Sequence, residues 1–147
     1  MKNVIIFIEK EKIFSEVSIN TAYTGCKGED NPDFYNKVAT VDADKELLSH
    51  FFFEICGKIS ELLKDLIQSS VLTDAGLSLT LLLSNSYDDS LTDSLTRDLI
   101  SATVAGVCAR WLELSAPQRR KEYETRAEKL LNSALSKLYH RKKPMRK

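Results

Sequence analysis

Glycine and proline are scarce in this sequence, 5 and 3 of 147 residues, and so is cysteine, with Cys26, Cys56 and Cys108 the only three. So little glycine and proline excludes a collagen-like chain and argues against a fully disordered one. The cysteines are odd in number and lie 30 and 52 positions apart, which excludes a paired disulfide framework and the close ligand spacing of a zinc site. Cys56 and Cys108 fall in apolar helical stretches and read as small core residues, whereas Cys26 sits beside Gly25 and reads as a loop thiol. Long apolar runs are missing too. Val4 to Ile8 is five residues, too short for the core of a signal peptide and far below the roughly 20 that span a bilayer. The run from Leu77 to Leu83 is interrupted by Ser78 and Thr80. The expectation is a soluble chain, made in the cytoplasm, that does not enter a membrane.

What is present suits one ordinary globular domain, since about 150 residues per domain gives a single unit. Hydrophobic residues form 43% of the chain, and at this length folding buries roughly 68–70% of the unfolded surface. Asn3 to Ile8 is rich in β-branched residues without clean alternation, a strand buried on both faces. Ile13, Phe14, Val17 and Thr21 mark a short helix over about 11–24, stopped at Gly25. Residues 25–41 form a long connection pinned by Phe34 and Tyr35. From Asp42 and Asp44 onward Leu48, Phe52, Ile55, Ile59, Leu62 and Leu66 recur at helical spacing, widened by Leu47, Phe51, Leu63 and Ile67. Leu77, Leu79, Leu81 and Leu83 alternate with Ser78, Thr80 and Leu82, a strand that pairs with the N-terminal one. A second long helix follows from about Leu91 or Thr92 to Leu114. Ser115 and Gln118 then suggest a capping box around Pro117, opening a third long helix to about His140. The expected fold is α+β and mostly α: three long helices, a short N-terminal helix and a small two-stranded sheet. It forms one domain over 1–140 with a basic tail at 141–147.

Zero net charge hides a segregation. Residues 1–109 carry 9 basic and 17 acidic side chains, a balance of −8, and residues 110–147 carry 12 and 4, a balance of +8. Such asymmetry within a chain points to an interaction segment. The basic arm consists of Arg119, Arg120, Lys121, Lys137, Arg141, Lys142, Lys143, Arg146 and Lys147. Three uses compete. The last helix packs on its own acidic body, or the arm contacts phosphates of a nucleic acid without base readout, or copies of the chain join head to tail. Trp111, beside the charge switch at Arg110, reads as a core anchor or an interface anchor.

Chemistry-bearing constellations are thin. His50 and His140 have no partners at convincing ligand spacing, and Glu46, four residues before His50, makes a solvated helical pair. No glycine-rich phosphate loop precedes a helix, and Asp88, Asp89 and Asp93 already suit a helix N-terminus. No serine has a plausible base. No catalytic, metal-binding or cofactor-binding residue is assigned, no cofactor is expected, and the chain reads as a protein without enzymatic activity.

Three stretches then carry a resemblance: Glu16-Val17 with Asn20-Thr21-Ala22-Tyr23-Thr24-Gly25, then Asp42-Ala43-Asp44-Lys45-Glu46-Leu47-Leu48, and Arg110-Trp111-Leu112-Glu113 with Pro117, Tyr123, Ala127 and Leu138-Tyr139-His140-Arg141-Lys142-Lys143-Pro144. Together they resemble small structural proteins, head-to-tail connectors and tail modules, of tailed bacteriophages and prophages of Bacteroidetes-type bacteria. The resemblance implies a virion protein, made in the host cytoplasm, that forms a multi-copy ring with itself and contacts other virion proteins. The alternative, from the residues alone, is a small cytoplasmic nucleic-acid-binding or regulatory protein that uses the basic C-terminal helix and tail.

Overall fold

The computed structural model of the chain describes residues 1–27 and 44–141. Strand β1 (Lys2–Glu9) leads directly into helix α1 (Lys10–Lys27), and helix α2 (Lys45–Leu62) precedes a hairpin of β2 (Ile67–Thr73) and β3 (Gly76–Leu83). A 3-10 turn (Asp89–Leu91), helix α3 (Thr92–Ser115) and helix α4 (Pro117–Leu138) complete the chain. The mostly helical α+β class is as expected, and five details differ from the expectation. The proposed pins Phe34 and Tyr35 lie outside the described residues.

The sheet has three strands, not two, in the antiparallel order β1-β3-β2. Its central strand β3 pairs with β1 from Lys2 opposite Leu83 to Glu9 opposite Gly76. That register places Val4, Ile6 and Ile8 on the same face as Leu81, Leu79 and Leu77, and all six are buried under the helices. The opposite face is open: Ile5 is 70% exposed and Phe7 45%, so β1 is covered on one side rather than both. The strand missing from the expectation is β2. Its residues from Gln68 to Thr73 are exposed on both faces, so it shows no alternation of apolar and polar residues to read.

The N-terminal helix is also longer than expected. It spans 18 residues and continues through Gly25, because a glycine costs a helix interior only about 1 kcal/mol and does not compel a stop. Helix α2, in contrast, ends at Leu62, and Ile67 joins β2 instead of extending the helical stripe. The capping box at Ser115 does not form. The Ser115 hydroxyl donates back to the Trp111 carbonyl at 3.1 Å, and Ala116, extended at φ −152°, precedes Pro117 with no side-chain cap.

Helix α3 is the hub. It packs on α4, α2, α1 and β1, and for such a helix an apolar stripe is not enough. Ala102, Ala105, Gly106 and Ala109 supply the small surfaces that let neighbours approach. At Gly106 a methyl group would sit 3.0 Å from the Ile55 side chain, which shows how closely α2 lies on α3. Phe52 of α2 is fully buried, edge-on to Phe14 at a ring separation of 6.4 Å, and its burial contributes roughly 1.5–3 kcal/mol. Tyr87 ties the two ends of the chain together. Its hydroxyl lies 3.1 Å from the Thr92 hydroxyl, its carbonyl accepts from Lys2 Nζ at 3.1 Å, and its main chain pairs with Arg141.

Candidate functional site

The basic segment divides by position. On the first turn of α4, Arg119 is half-buried and Lys121 exposed, and neither forms an ion pair with a described residue. Arg120 is engaged: Nη1 is 3.5 Å from Glu113 and Nε 3.1 Å from Glu124. Lys137 turns inward. Its ammonium donates to Asp98 Oδ2 and Ser94 Oγ, both at 2.6 Å, while Ser133 donates to the same carboxylate oxygen at 2.8 Å. Lys137 therefore clamps α4 to α3 rather than joining the exposed arm. Arg141 is exposed, with its guanidinium 3.4 Å from the Leu138 carbonyl. Lys142, Lys143, Arg146 and Lys147 lie outside the described residues.

Trp111 is 9% exposed and belongs to the core cluster. Its neighbour Arg110 is the residue whose structural role sequence reasoning missed. It reaches Glu54 on α2 at 3.2 Å and Glu113 at 2.7 Å, and it stacks over the Phe51 ring at 5.5 Å. Glu54, Arg110, Glu113, Arg120 and Glu124 thereby alternate in sign across three helices. The i, i+3 spacing of Arg110 and Glu113 and the i, i+4 spacing of Arg120 and Glu124 are the parts of this belt visible in sequence, and the links to Glu54 and between α3 and α4 are not. Glu54 also meets Lys58, as their i, i+4 spacing predicts, though at a loose 3.9 Å.

Two ion pairs between described residues join the cationic segment to an acid of residues 1–109: Arg110 with Glu54 and Lys137 with Asp98. The remaining pairs of that segment are internal, Arg110 and Arg120 with Glu113, Arg120 with Glu124, and Arg126 with Glu122. Among the described residues the first segment carries 8 basic and 13 acidic side chains and the second 8 and 4, so the two bridging pairs match about half of the second segment's surplus of +4.

Two clefts flank α4. One of about 410 Å³ lies between α2 and α4, floored by Ala102, Gly106 and Ala109 of α3 and walled by Ile55, Ile59 and Leu131. Lys58, Arg110, Glu124 and Glu128 ring it, and its lining has no serine, threonine, cysteine or histidine to act as a nucleophile. A second cleft of about 350 Å³ brings Lys12 of α1, Arg97 of α3 and Arg126 of α4 together with Glu16. Residues from three separate helices leave no spacing signal in the sequence.

The remaining groups have structural roles or stand apart. Desolvation pushes the buried thiols of Cys56 and Cys108 up to about 12, although the Arg126 charge acts the other way on Cys108. Neither is a thiolate near neutral pH. Cys26, expected in a loop, falls instead within α1. The Asp88 carboxylate accepts from the Ser90 amide at 3.1 Å and from its hydroxyl at 2.7 Å, while Asp89 pairs with Lys2 at 2.9 Å. Among the described residues no group of three or more His, Cys, Asp or Glu side chains could hold a metal ion. Both His50 and His140 are exposed. No described helix is long and apolar enough to cross a membrane.

These features define a mostly helical α+β domain whose charge is sorted along the chain. The chain matches no protein-family model, no curated protein and no solved structure.

Proposed function

We propose that this chain is a structural protein that works in multiple copies, as a neck, connector or tail-module subunit of a tailed phage particle. The observation that carries the assembly reading is the opposed charge of the two segments in the sequence, −8 and +8; the described residues of the two segments balance at −5 and +4, and two ion pairs bridge them. A subunit with unmatched acidic and basic regions is complementary to its own copies, and head-to-tail contacts of that kind close into rings or run on as tubes. The resemblance of the three stretches described above supplies the phage context. Half-buried Arg119 and exposed Lys121, Lys129 and Arg141 are the described cations of this segment without an ion pair to a described residue, and they are available for such a contact.

Light scattering coupled to size exclusion, at about 0.1 and 1 M salt, tests this reading. Screening lengths of roughly 10 and 3 Å at those salts make a charge-driven assembly loosen at the higher one. Deleting residues 141–147 should weaken assembly and leave the helicity unchanged. A monomer at both salts that binds duplex DNA, with affinity falling steeply with salt, would overturn the assembly reading in favour of a nucleic-acid-binding protein.

A further inference from the structure

Strand β2 is the most exposed strand among the described residues. It lies at the sheet edge, with β3 on one side, and Gln68 to Thr73 are exposed on both faces. Natural edge strands are commonly blunted by lysine, proline, a mid-strand bulge or a covering element. The sequence Ile67-Gln68-Ser69-Ser70-Val71-Leu72-Thr73 has no charge and no proline, and its single irregularity falls at the start, between Ile67 and Ser69. The seven uncharged positions therefore lie on an edge that no other described strand covers.

The register shows which main-chain groups are free. Thr73 faces Gly76 across the two-residue turn, Val71 faces Ser78 and Ser69 faces Thr80. In an antiparallel ladder the pair that closes a two-residue turn exchanges both hydrogen bonds, and every second pair after it does the same. The wide pair of Ile67 and Leu81 beyond the bulge fits this phase, since the Leu82 amide donates to the Leu66 carbonyl at 2.7 Å. Ser69, Val71 and Thr73 therefore spend their amides and carbonyls on β3. Those of Ser70 and Leu72 point away from it, to the open edge.

We infer that β2 pairs antiparallel with β2 of a second copy, about a two-fold axis through Val71, to make a continuous six-stranded sheet. In that register Ser70 of each copy faces Leu72 of the other, and the two pairs exchange four main-chain hydrogen bonds. Val71 meets its own counterpart on the outer face, where it is 54% exposed in the single chain, and Leu72, 47% exposed, gains cover on the inner face. Only a partner whose own edge is uncharged in this register avoids a charge opposite Val71 or Leu72, and β2 itself is such an edge. The outer face then carries a row of Phe7, Ser78 and Val71 across each half of the sheet, with the two Val71 side chains in contact at its centre.

The choice of a second copy rests on the multi-copy reading, but the surface and the forces differ, and salt separates them. Main-chain hydrogen bonds and apolar contacts survive 1 M salt, whereas charge-complementary contacts do not. The test is solution mass at 1 M salt over about 10–300 µM protein, for the intact chain and for Ser70→Pro and Val71→Lys. Proline at position 70 removes an outward amide that β3 does not use, and lysine at 71 sets two like charges against each other. The expected result is a dimer for the intact chain, a more than tenfold weaker one for each variant, and unchanged far-ultraviolet dichroism. A monomer at 1 M salt, or a dimer that both variants retain, overturns the inference. An oligomer at 0.1 M that falls to monomers at 1 M does so while sparing the charge-driven reading. A salt-resistant dimer that grows no larger at 0.1 M supports the edge pairing and removes that reading.

Discussion

Replacing Gly76 by alanine tests whether the sheet is held as described, because the glycine is required by geometry on two counts. Its φ is +149°, a conformation that side-chain-bearing residues rarely adopt. A Cβ built there would also lie 2.1 Å from the Ile8 carbonyl oxygen, 3.0 Å from Ile8 C and 3.1 Å from Glu9 Cα. All three are backbone atoms, so no rotamer change relieves the clash. An ordinary carbon–oxygen approach is about 3.3 Å, so β1 must retreat by roughly 1 Å where Glu9 faces Gly76. That movement strains the adjoining bond from the Lys10 amide to the Ala75 carbonyl, now 3.0 Å, and begins to uncover Ile8 and Leu77. Backbone strain costs about 1–3 kcal/mol, a weakened hydrogen bond about 1 and partial exposure of two apolar side chains about 1 more. The expected loss is about 3–5 kcal/mol against a total stability of about 5–15. Gly57 is the control. It is exposed inside α2, and a methyl group added there would meet nothing within 4 Å, so alanine should add about 0.5–1 kcal/mol. Urea unfolding followed by circular dichroism measures both variants. A loss below about 1 kcal/mol for Gly76→Ala, or equal effects at the two positions, would refute the β1–β3 register on which the argument rests.

Two more predictions concern the polar clamp and the buried thiols. Lys137→Ala strands the Asp98 carboxylate, only 14% exposed, with Ser133 as its remaining described donor, and should cost about 1.5–3 kcal/mol in urea unfolding. Lys121→Ala, at an exposed site without an ion pair to a described residue, should stay within about 0.5 kcal/mol, and equal losses would show that Lys137 is no clamp. The Cys56 and Cys108 thiols stay neutral in the folded chain up to about pH 12, while an unfolded chain ionises them near 9.0. Their contribution is complete below about pH 9 and declines as pH rises towards 12, by up to about 1.4 kcal/mol per thiol per pH unit. Between about pH 8 and 10 the intact chain should lose more stability than a Cys56→Ala, Cys108→Ala double variant, and parallel losses would show that the thiols carry none of the effect.

The elements legible in the sequence are those with one buried stripe. In α2, Leu48, Phe52, Ile55 and Ile59 recur at helical spacing and are buried, and in β3 the four alternating leucines face the helices. Three other segments mislead for separate physical reasons. In β1 the apolar side chains of Ile5 and Phe7 read as buried because a run of β-branched and aromatic residues hides which face is covered. In β2 exposure on both faces removes the periodicity that a half-buried strand would show. At Gly25 a local stop signal is weaker than helix continuation through Lys27.

The basic segment is legible in the sequence as a surplus of charge and illegible as a set of ion pairs. Counting charges marks Arg120 and Lys137 as alike, yet each is committed inside the subunit, one to Glu113 and Glu124 and the other to Asp98. The commitment of Lys137 depends on Ser94 and Asp98 lying one helical turn apart on α3 and meeting the last turn of α4, about 40 positions away in sequence. Spacing within one helix can announce a pair such as Arg126 with Glu122, but it cannot announce a pair between antiparallel helices until their packing fixes the register. The same limit hides Arg110, whose ordinary place in the chain conceals a position between the carboxylates of Glu54 and Glu113 and above the Phe51 ring. Subtracting these internally committed cations from the arm leaves Arg119, Lys121 and Arg141 as its described part without an ion pair to a described residue. With Lys129, exposed and likewise in no ion pair with a described residue, these cations run from the start of α4 to just beyond its end, clear of the Lys137 contact that holds the helix to α3.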